Sequence, residues 1–270
     1  MKLLSYNRRL TLLCSAIAVT LIPALLIAAE GRTPKSDAVN ANQETVEMFS
    51  AIENGQIAVK LIPKDSTQCR IFIENKTDKP LNVKLPETFA GVPVLAQRPG
   101  GGGGSTTRPG GSSSSGGNQS MGGGMGGGMM GGMGMFNVPP EKVGQLRVPT
   151  VCLEHGKGEP NERIPYEIKP LESVTSKPAV AELCRTLGTG QINQRAAQAA
   201  AWFLNNDMSW QELAAKRYRH ANGMMGEPYF SPLEIQTGMQ LAKMAVRAAE
   251  EKHQQKLQPG ATDETSPKLK

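Results

Sequence analysis

The sequence predicts an α+β protein: a small immunoglobulin-like β-sandwich, interrupted by a Gly/Met-rich loop and followed by a helical C-terminal segment. Three observations lead to that class. Apolar residues alternate with polar ones through residues 57–95 and again through 143–168, the period of half-buried strands. Between those stretches lie 18 of the chain's 30 glycines, from Gly100 to Gly134, in a run with no apolar period. Beyond residue 178 the apolar spacing lengthens to three and four residues, as helices require.

The elements follow in order. Lys2, Arg8 and Arg9 precede Leu10 to Ala29, twenty residues without a charge. Basic residues before such a run, with Ala28-Ala29 offering a cleavage site before Glu30, form the pattern of a secretory signal peptide. The alternative is an uncleaved anchor, since twenty helical residues reach about 30 Å, the thickness of a bilayer core. Thr11 sits where a twin-arginine signal prefers Phe, so the general export route is expected.

Val46, Phe49 and Ile52 recur at three-residue spacing, one face of a short helix ending at Asn54-Gly55. Ile57, Val59 and Leu61 then alternate until Pro63, a first strand. Cys69, Ile71 and Ile73 share one face of a second, with Arg70, Phe72 and Glu74 on the other. Asn75 to Pro80 is turn chemistry, and Leu81, Val83 and Leu85 form a third strand closed by Pro86. Val92 to Leu95 is a fourth, demoted to an edge by Pro93. After the glycine run, Val143 to Leu153 reads as a strand kinked at Pro149, and Ile164 to Ile168 as a shorter one. About six short strands with frequent turns suit one sandwich, because the last two alone would not bury their apolar face.

Val180, Leu183, Cys184 and Leu187 then mark an amphipathic helix stopped by Gly188-Thr189-Gly190. Ile192, Ala196, Ala199 and Phe203 mark a second, with Trp202 beside them. Ser209-Trp210-Gln211-Glu212 is a capping box opening a third. Ser231-Pro232-Leu233-Glu234 repeats the device with Pro at the first helical position, and Ile235, Met239, Ala242 and Val246 extend a fourth past Lys252. The expected organisation is a signal peptide over 1–29, a short helix and the first part of the sandwich over 30–97, and a disordered insertion over 98–135. The remaining strands fill 136–172, the helical region 173–257, and a disordered tail 258–270.

The formal net charge is +6, but Lys2, Arg8 and Arg9 supply three of those charges, leaving about +3 from residue 30 onward. No dense Lys/Arg stripe remains to follow a phosphate backbone, so nucleic acid is not an expected partner. The G-x-S-x-G, H-E-x-x-H and G-x-x-x-x-G-K-[ST] motifs are absent. Cys152-Leu153-Glu154-His155 is the densest cluster of reactive types, and Cys69 with Cys184 would complete a four-ligand zinc set. Paired CxxC knuckles are missing, however. Cys14 would leave with the signal, and the three remaining cysteines of an exported chain point instead to one disulfide and one spare thiol. The expected pair is Cys152 with Cys184, joining the last strands to the first helix of the tail. A Cys152–His155 nucleophilic pair lacks an orienting third group. His220, within Arg217-Tyr218-Arg219-His220, reads as part of a solvated helix end, and His253 stands apart from both other histidines.

Met121, Met125, Met129, Met130, Met133 and Met135 lie within fifteen residues, separated mainly by glycine. Thioether sulfur is a soft ligand suited to Cu(I) or Ag(I), and a flexible backbone can wrap several sulfurs around one ion. The plainer reading is a low-complexity spacer, since neither His nor Cys joins the cluster.

The stretches IENKTDKPLNVKLP, FAGVPVLAQ, TVCLEHGKGEP and QAAAWFLNNDMSWQELAAK resemble exported proteins of planctomycete-type bacteria. The resemblance spans most of the mature chain apart from the glycine run. It implies export from a bacterial cell and adds no activity and no catalytic residue. The expectation is therefore a non-enzymatic envelope or periplasmic protein, an interaction or structural module without cofactor. Its partner would be another envelope protein or an envelope polymer, with membrane contact only if the N-terminal segment stays uncleaved. The alternative is soft-metal binding through the methionine run.

Overall fold

The computed structural model describes residues 44–94, 117–125, 134–219 and 223–257. The expected signal peptide, much of the glycine run and the C-terminal tail lie outside the described residues. The strands are β1 (Glu44–Glu47), β2 (Ile57–Pro63), β3 (Gln68–Asn75), β4 (Leu81–Lys84), β5 (Thr88–Pro93) and β6 (Met121–Gly124). They continue with β7 (Met135–Val138), β8 (Val143–Cys152), β9 (Tyr166–Lys169), β10 (Arg217–Arg219) and β11 (Met225–Pro228). The helices are α1 (Met48–Glu53), α2 (Pro178–Gly188), α3 (Gln194–Asn206), α4 (Trp210–Ala215) and α5 (Pro232–Leu257).

Six strands close an antiparallel barrel in the order β2-β3-β8-β6-β5-β9, with β9 returning to β2 through Leu61 opposite Tyr166. The chain is α+β, but this barrel replaces the expected immunoglobulin-like sandwich. The difference comes from β6. Met121-Gly122-Gly123-Gly124 has no apolar alternation, yet it lies inside the expected disordered insertion as a fully buried strand between β5 and β8. Its insertion makes β5 an interior strand rather than an edge, with Pro93 at its last position. Closing the sheet on itself also removes the unpaired rims that a sandwich would leave.

Alternation along the strands decides what faces inward. Leu61, Ile71, Ile73, Phe89, Met121, Leu146 and Ile168 fill one core. A second sheet, β1-β4-β7, with β1 parallel to β4, adds Leu81, Val83, Phe136 and Val138 to it, and α1 adds Met48. Outward-facing Ala90, Val151 and Leu153 instead meet α2 and α3, and Leu241, Ala242 and Ala245 of α5 complete that second core.

The glycines of β6 have a steric reason. A Cβ on Gly124 would stand 2.2 Å from the Cys184 carbonyl oxygen, and one on Gly188 would stand 2.4 Å from the Gly124 oxygen. Strand and helix therefore touch backbone to backbone, and only hydrogen fits between them. Both expected helix starts are formed: Ser209 and Glu212 close a reciprocal box, and Ser231 N–H donates to Glu234 at 2.7 Å while Glu234 N–H donates to the Ser231 hydroxyl at 3.2 Å.

The expected Cys152–Cys184 disulfide is not formed; Cys69, Cys152 and Cys184 are buried free thiols. Cys184 shares the helical core with Val151 and Leu153, beside Gly122. One residue along the strand, Cys152 turns away from that face. It joins a separate cluster with Trp202 and Phe230, and its thiol lies 3.9 Å from the Ser66 carbonyl oxygen.

Candidate functional site

The site starts where β8 outlasts β3. Their ladder ends at Gln68 opposite Pro149, and Thr150 N–H reaches back to the Thr67 oxygen at 2.8 Å. Beyond that point α3 stands in for the missing strand. Gln194 Nε2 donates to the Thr150 oxygen at 2.8 Å. Gln198 accepts from Cys152 N–H at 2.8 Å and donates to the Cys152 oxygen at 2.9 Å. Asn205 donates to the Leu153 oxygen at 2.7 Å. Buried backbone groups need partners, and polar side chains along one helix supply them here.

The loop after β8 is held from the other side by residues just before β6. Leu153 N–H donates to the Ser120 oxygen at 2.9 Å, and Ser120 N–H donates to the Glu154 carboxylate at 2.8 Å. Asn118 Nδ2 donates to the Glu159 oxygen at 2.7 Å, and the buried Tyr166 hydroxyl donates to the Gln119 oxygen at 2.8 Å. These clamps fix His155 and Glu159 in front of α3.

The β10–β11 hairpin then folds back over the helix, with Tyr229 N–H donating to the Lys216 oxygen at 2.8 Å. Cations and rings alternate in the resulting stack. The Arg195 guanidinium lies 5.1 Å from the Tyr229 ring centre and 5.5 Å from that of Phe230. Lys216 Nζ lies 5.1 Å from Tyr229 and 5.2 Å from Trp202. The His155 ring meets Trp202 edge-on at 4.8 Å, and its Nε2 is 2.9 Å from Lys216 Nζ. Arg195 Nε donates to Glu234 at 2.8 Å, and its Nη1 to the Tyr218 hydroxyl at 3.2 Å. Beside this stack is a recess of about 200 Å³ lined by Ser66, Thr67, Glu159, Gln194, Arg195, Gln198, Tyr218 and Tyr229.

Burial dominates the electrostatics. It lowers the Lys216 pKa, against an opposing pull from Glu159. It lowers the His155 pKa as well, helped by the Lys216 charge and opposed by Glu212. The Cys152 thiol is pushed far up by burial and by the Glu159 and Asp65 charges, so it stays protonated at neutral pH. His155 engages Lys216 rather than Cys152, and no Cys–His nucleophile is assembled.

The other sequence candidates scatter. Cys69 belongs to the barrel core and Cys184 to the helical core, so the four-ligand zinc set does not come together. Among the described residues no group of three or more His, Cys, Asp and Glu is placed to hold a metal. Met121 and Met125 are buried in the barrel core, and Met135 is half-buried in β7. Met129, Met130, Met133 and His220 lie outside the described residues. Arg217–Arg219 is a strand, not a solvated helix end. His253 is exposed on α5. Near it, a groove of about 920 Å³ runs between α2 and α5, where Glu182 pairs with Arg185 and, at 3.0 Å, with Lys252. No described helix is long and apolar enough to cross a membrane.

Sequence reasoning missed Arg195, Gln198, Lys216, Tyr218 and Tyr229. Two signals were present: glutamines among the alanines of the second helical segment, and Asn118-Gln119-Ser120 interrupting the glycine run. The chain matches no protein-family model, no curated protein and no solved structure.

Proposed function

We propose that the protein is a non-enzymatic interaction module of the bacterial cell envelope, exported by its N-terminal segment, whose recess grips one unit of a hydroxyl-rich envelope polymer. The lining of the recess carries this reading. Gln198 is bonded at both ends to Cys152 and Gln194 to Thr150, so the ligand-facing lining is the Tyr218 and Tyr229 phenols, the Arg195 guanidinium, the Glu159 carboxylate and the Ser66 and Thr67 hydroxyls, around a space suited to one ring. A polyhydroxylated unit pairs with both donors and acceptors and stacks on an aromatic face. The protonated, enclosed Cys152 and the engagement of His155 with Lys216 support binding over catalysis. The burial of Met121 and Met125 favours a packing role over a soft-metal role for those two residues.

Titration with soluble fragments of envelope polysaccharide tests the proposal. Trp202 fluorescence reports binding, since its ring lies 5.5 Å from that of Tyr229. Tyr218, 43% exposed at the rim, should matter by about 1 kcal/mol, so Tyr218→Ala should weaken binding roughly fivefold. Equal affinity in wild type and variant, or no response to any fragment, would exclude the recess as the polymer site.

A further inference from the structure

We propose that the recess selects a sugar unit carrying a free amine, with Glu159 as the residue that receives the ammonium. This selectivity rests on the reading that the recess grips one unit of a polymer, and it adds which unit. Most of the lining is already engaged. The Arg195 guanidinium is matched by Glu234 at 2.8 Å and also donates to the Tyr218 hydroxyl. Gln194 and Gln198 are taken up by the backbone of β8. Thr67 gives its hydroxyl proton to Asp65 at 2.6 Å, which leaves its lone pairs for a ligand.

Glu159 differs. Among the described residues no hydrogen bond and no ion pair reaches its carboxylate, although Asn118 pins its backbone by donating to the carbonyl oxygen at 2.7 Å. The charge acts on Cys152, Lys216 and Tyr229, so the carboxylate stands on the recess side of its loop. Lys216 does not neutralise it by contact: its Nζ is held 2.9 Å from His155 Nε2, over the Trp202 and Tyr229 rings. The lining therefore presents one unpaired charge, a negative one, beside two phenol rings whose centres are 4.7 Å apart.

An ammonium on a sugar ring answers that charge as a hydroxyl does not. Its hydrogen bond to a carboxylate is charge-assisted and roughly twice as strong as a neutral one. Aromatic faces attract the same cation. A sugar acid would instead meet Glu159 with like charge. The Ser66 and Thr67 hydroxyls pair with ring hydroxyls, partners that the methylenes of a lysine side chain lack. The whole chain carries a formal net charge of +6, which repels cations, so a preference for the amine has to arise locally.

Trp202 fluorescence titrations of the whole purified chain test this with matched β-linked glucan fragments bearing an amine, an acetamide or a hydroxyl at the same ring carbon. The amine fragment should bind roughly fivefold tighter than the other two. Glu159→Gln keeps the shape of an exposed side chain and should bring the ratio of affinities close to one. Glu172→Gln, which removes an exposed carboxylate outside the recess, should leave the ratio as it is in the wild type. Equal binding of the three fragments by the wild type, or a preference that survives Glu159→Gln, would overturn the selectivity while the polymer reading stands. Binding of oligolysine in a Glu159-dependent way, with no preference among the fragments, would overturn it in favour of a peptide partner. No response to any fragment would overturn the polymer reading and the selectivity together.

Discussion

Gln198 places both ends of its carboxamide on a single residue, accepting from Cys152 N–H and donating to the Cys152 oxygen. It is itself buried, so no water stands ready to replace it. Gln198→Leu keeps the bulk but strands one donor and one acceptor, each costing about 1–3 kcal/mol. A loss of about 3 kcal/mol is expected in urea unfolding, with the slope of the transition unchanged. His155 adds a dependence on pH. Burial, with the Lys216 charge, holds its folded pKa below the ordinary 6.5. As pH falls through 6.5 the unfolded chain takes up this proton first, so stability is lost until the folded imidazole also titrates. Stability measured from neutral pH downward should therefore decline less steeply just below that value in His155→Gln than in the wild type.

At the scale of elements, β6 explains why some of the fold was legible in the sequence and some was not. The β2 and β3 strands and helices α2 to α5 fall where apolar period and capping residues put them, because each buries one face of ordinary side chains. Strand β6 buries its backbone against α2 instead, and a backbone has no periodicity to read. The site was hidden for a related reason. Its parts come from α3, the loop after β8 and the β10–β11 hairpin, which only the closed barrel brings together. Excision tests the strand assignment. Gly91 lies opposite Met121 where the β5–β6 ladder ends. Replacing residues 95–116 by a Gly/Ser linker of about half the length should leave the melting temperature nearly unchanged, since halving a loop alters closure by only about 0.6 kcal/mol. Removing residues 117–125 should abolish cooperative melting. Gly124→Ala should be the most damaging single change in β6, because the atom it adds meets main chain, which cannot rotate aside.

For the molecule as a whole, the thiols of Cys69, Cys152 and Cys184 report on the integrity of the packing. Burial pushes the Cys69 and Cys184 thiols up to about 12 and raises Cys152 further. Thiols so enclosed and protonated should resist alkylation at neutral pH until the chain unfolds. Peptide mapping of protein alkylated after denaturation without reductant should then recover Cys69, Cys152 and Cys184 each labelled, with no bridge among them. Any Cys152–Cys184 bridge would require the wall between the two cores to open.

The position of β6 in the chain makes it a replaceable part. It sits between β5 and β8, yet residues 94–120 separate it from β5 and residues 125–134 separate it from β7. The chain thus supplies one wall of its barrel through a covalent tether, whose effective concentration a free peptide would have to match. A shortened protein lacking residues 117–125 should accept the same stretch supplied as a free peptide. Complementation of this kind would show as a return of cooperative melting when the peptide reaches roughly the concentration that the tether supplies. A peptide with alanine at Gly122 and Gly124 should fail, because the helix leaves no room for it. In that sense the least patterned segment of the sequence is the one whose shape the rest of the molecule specifies most narrowly.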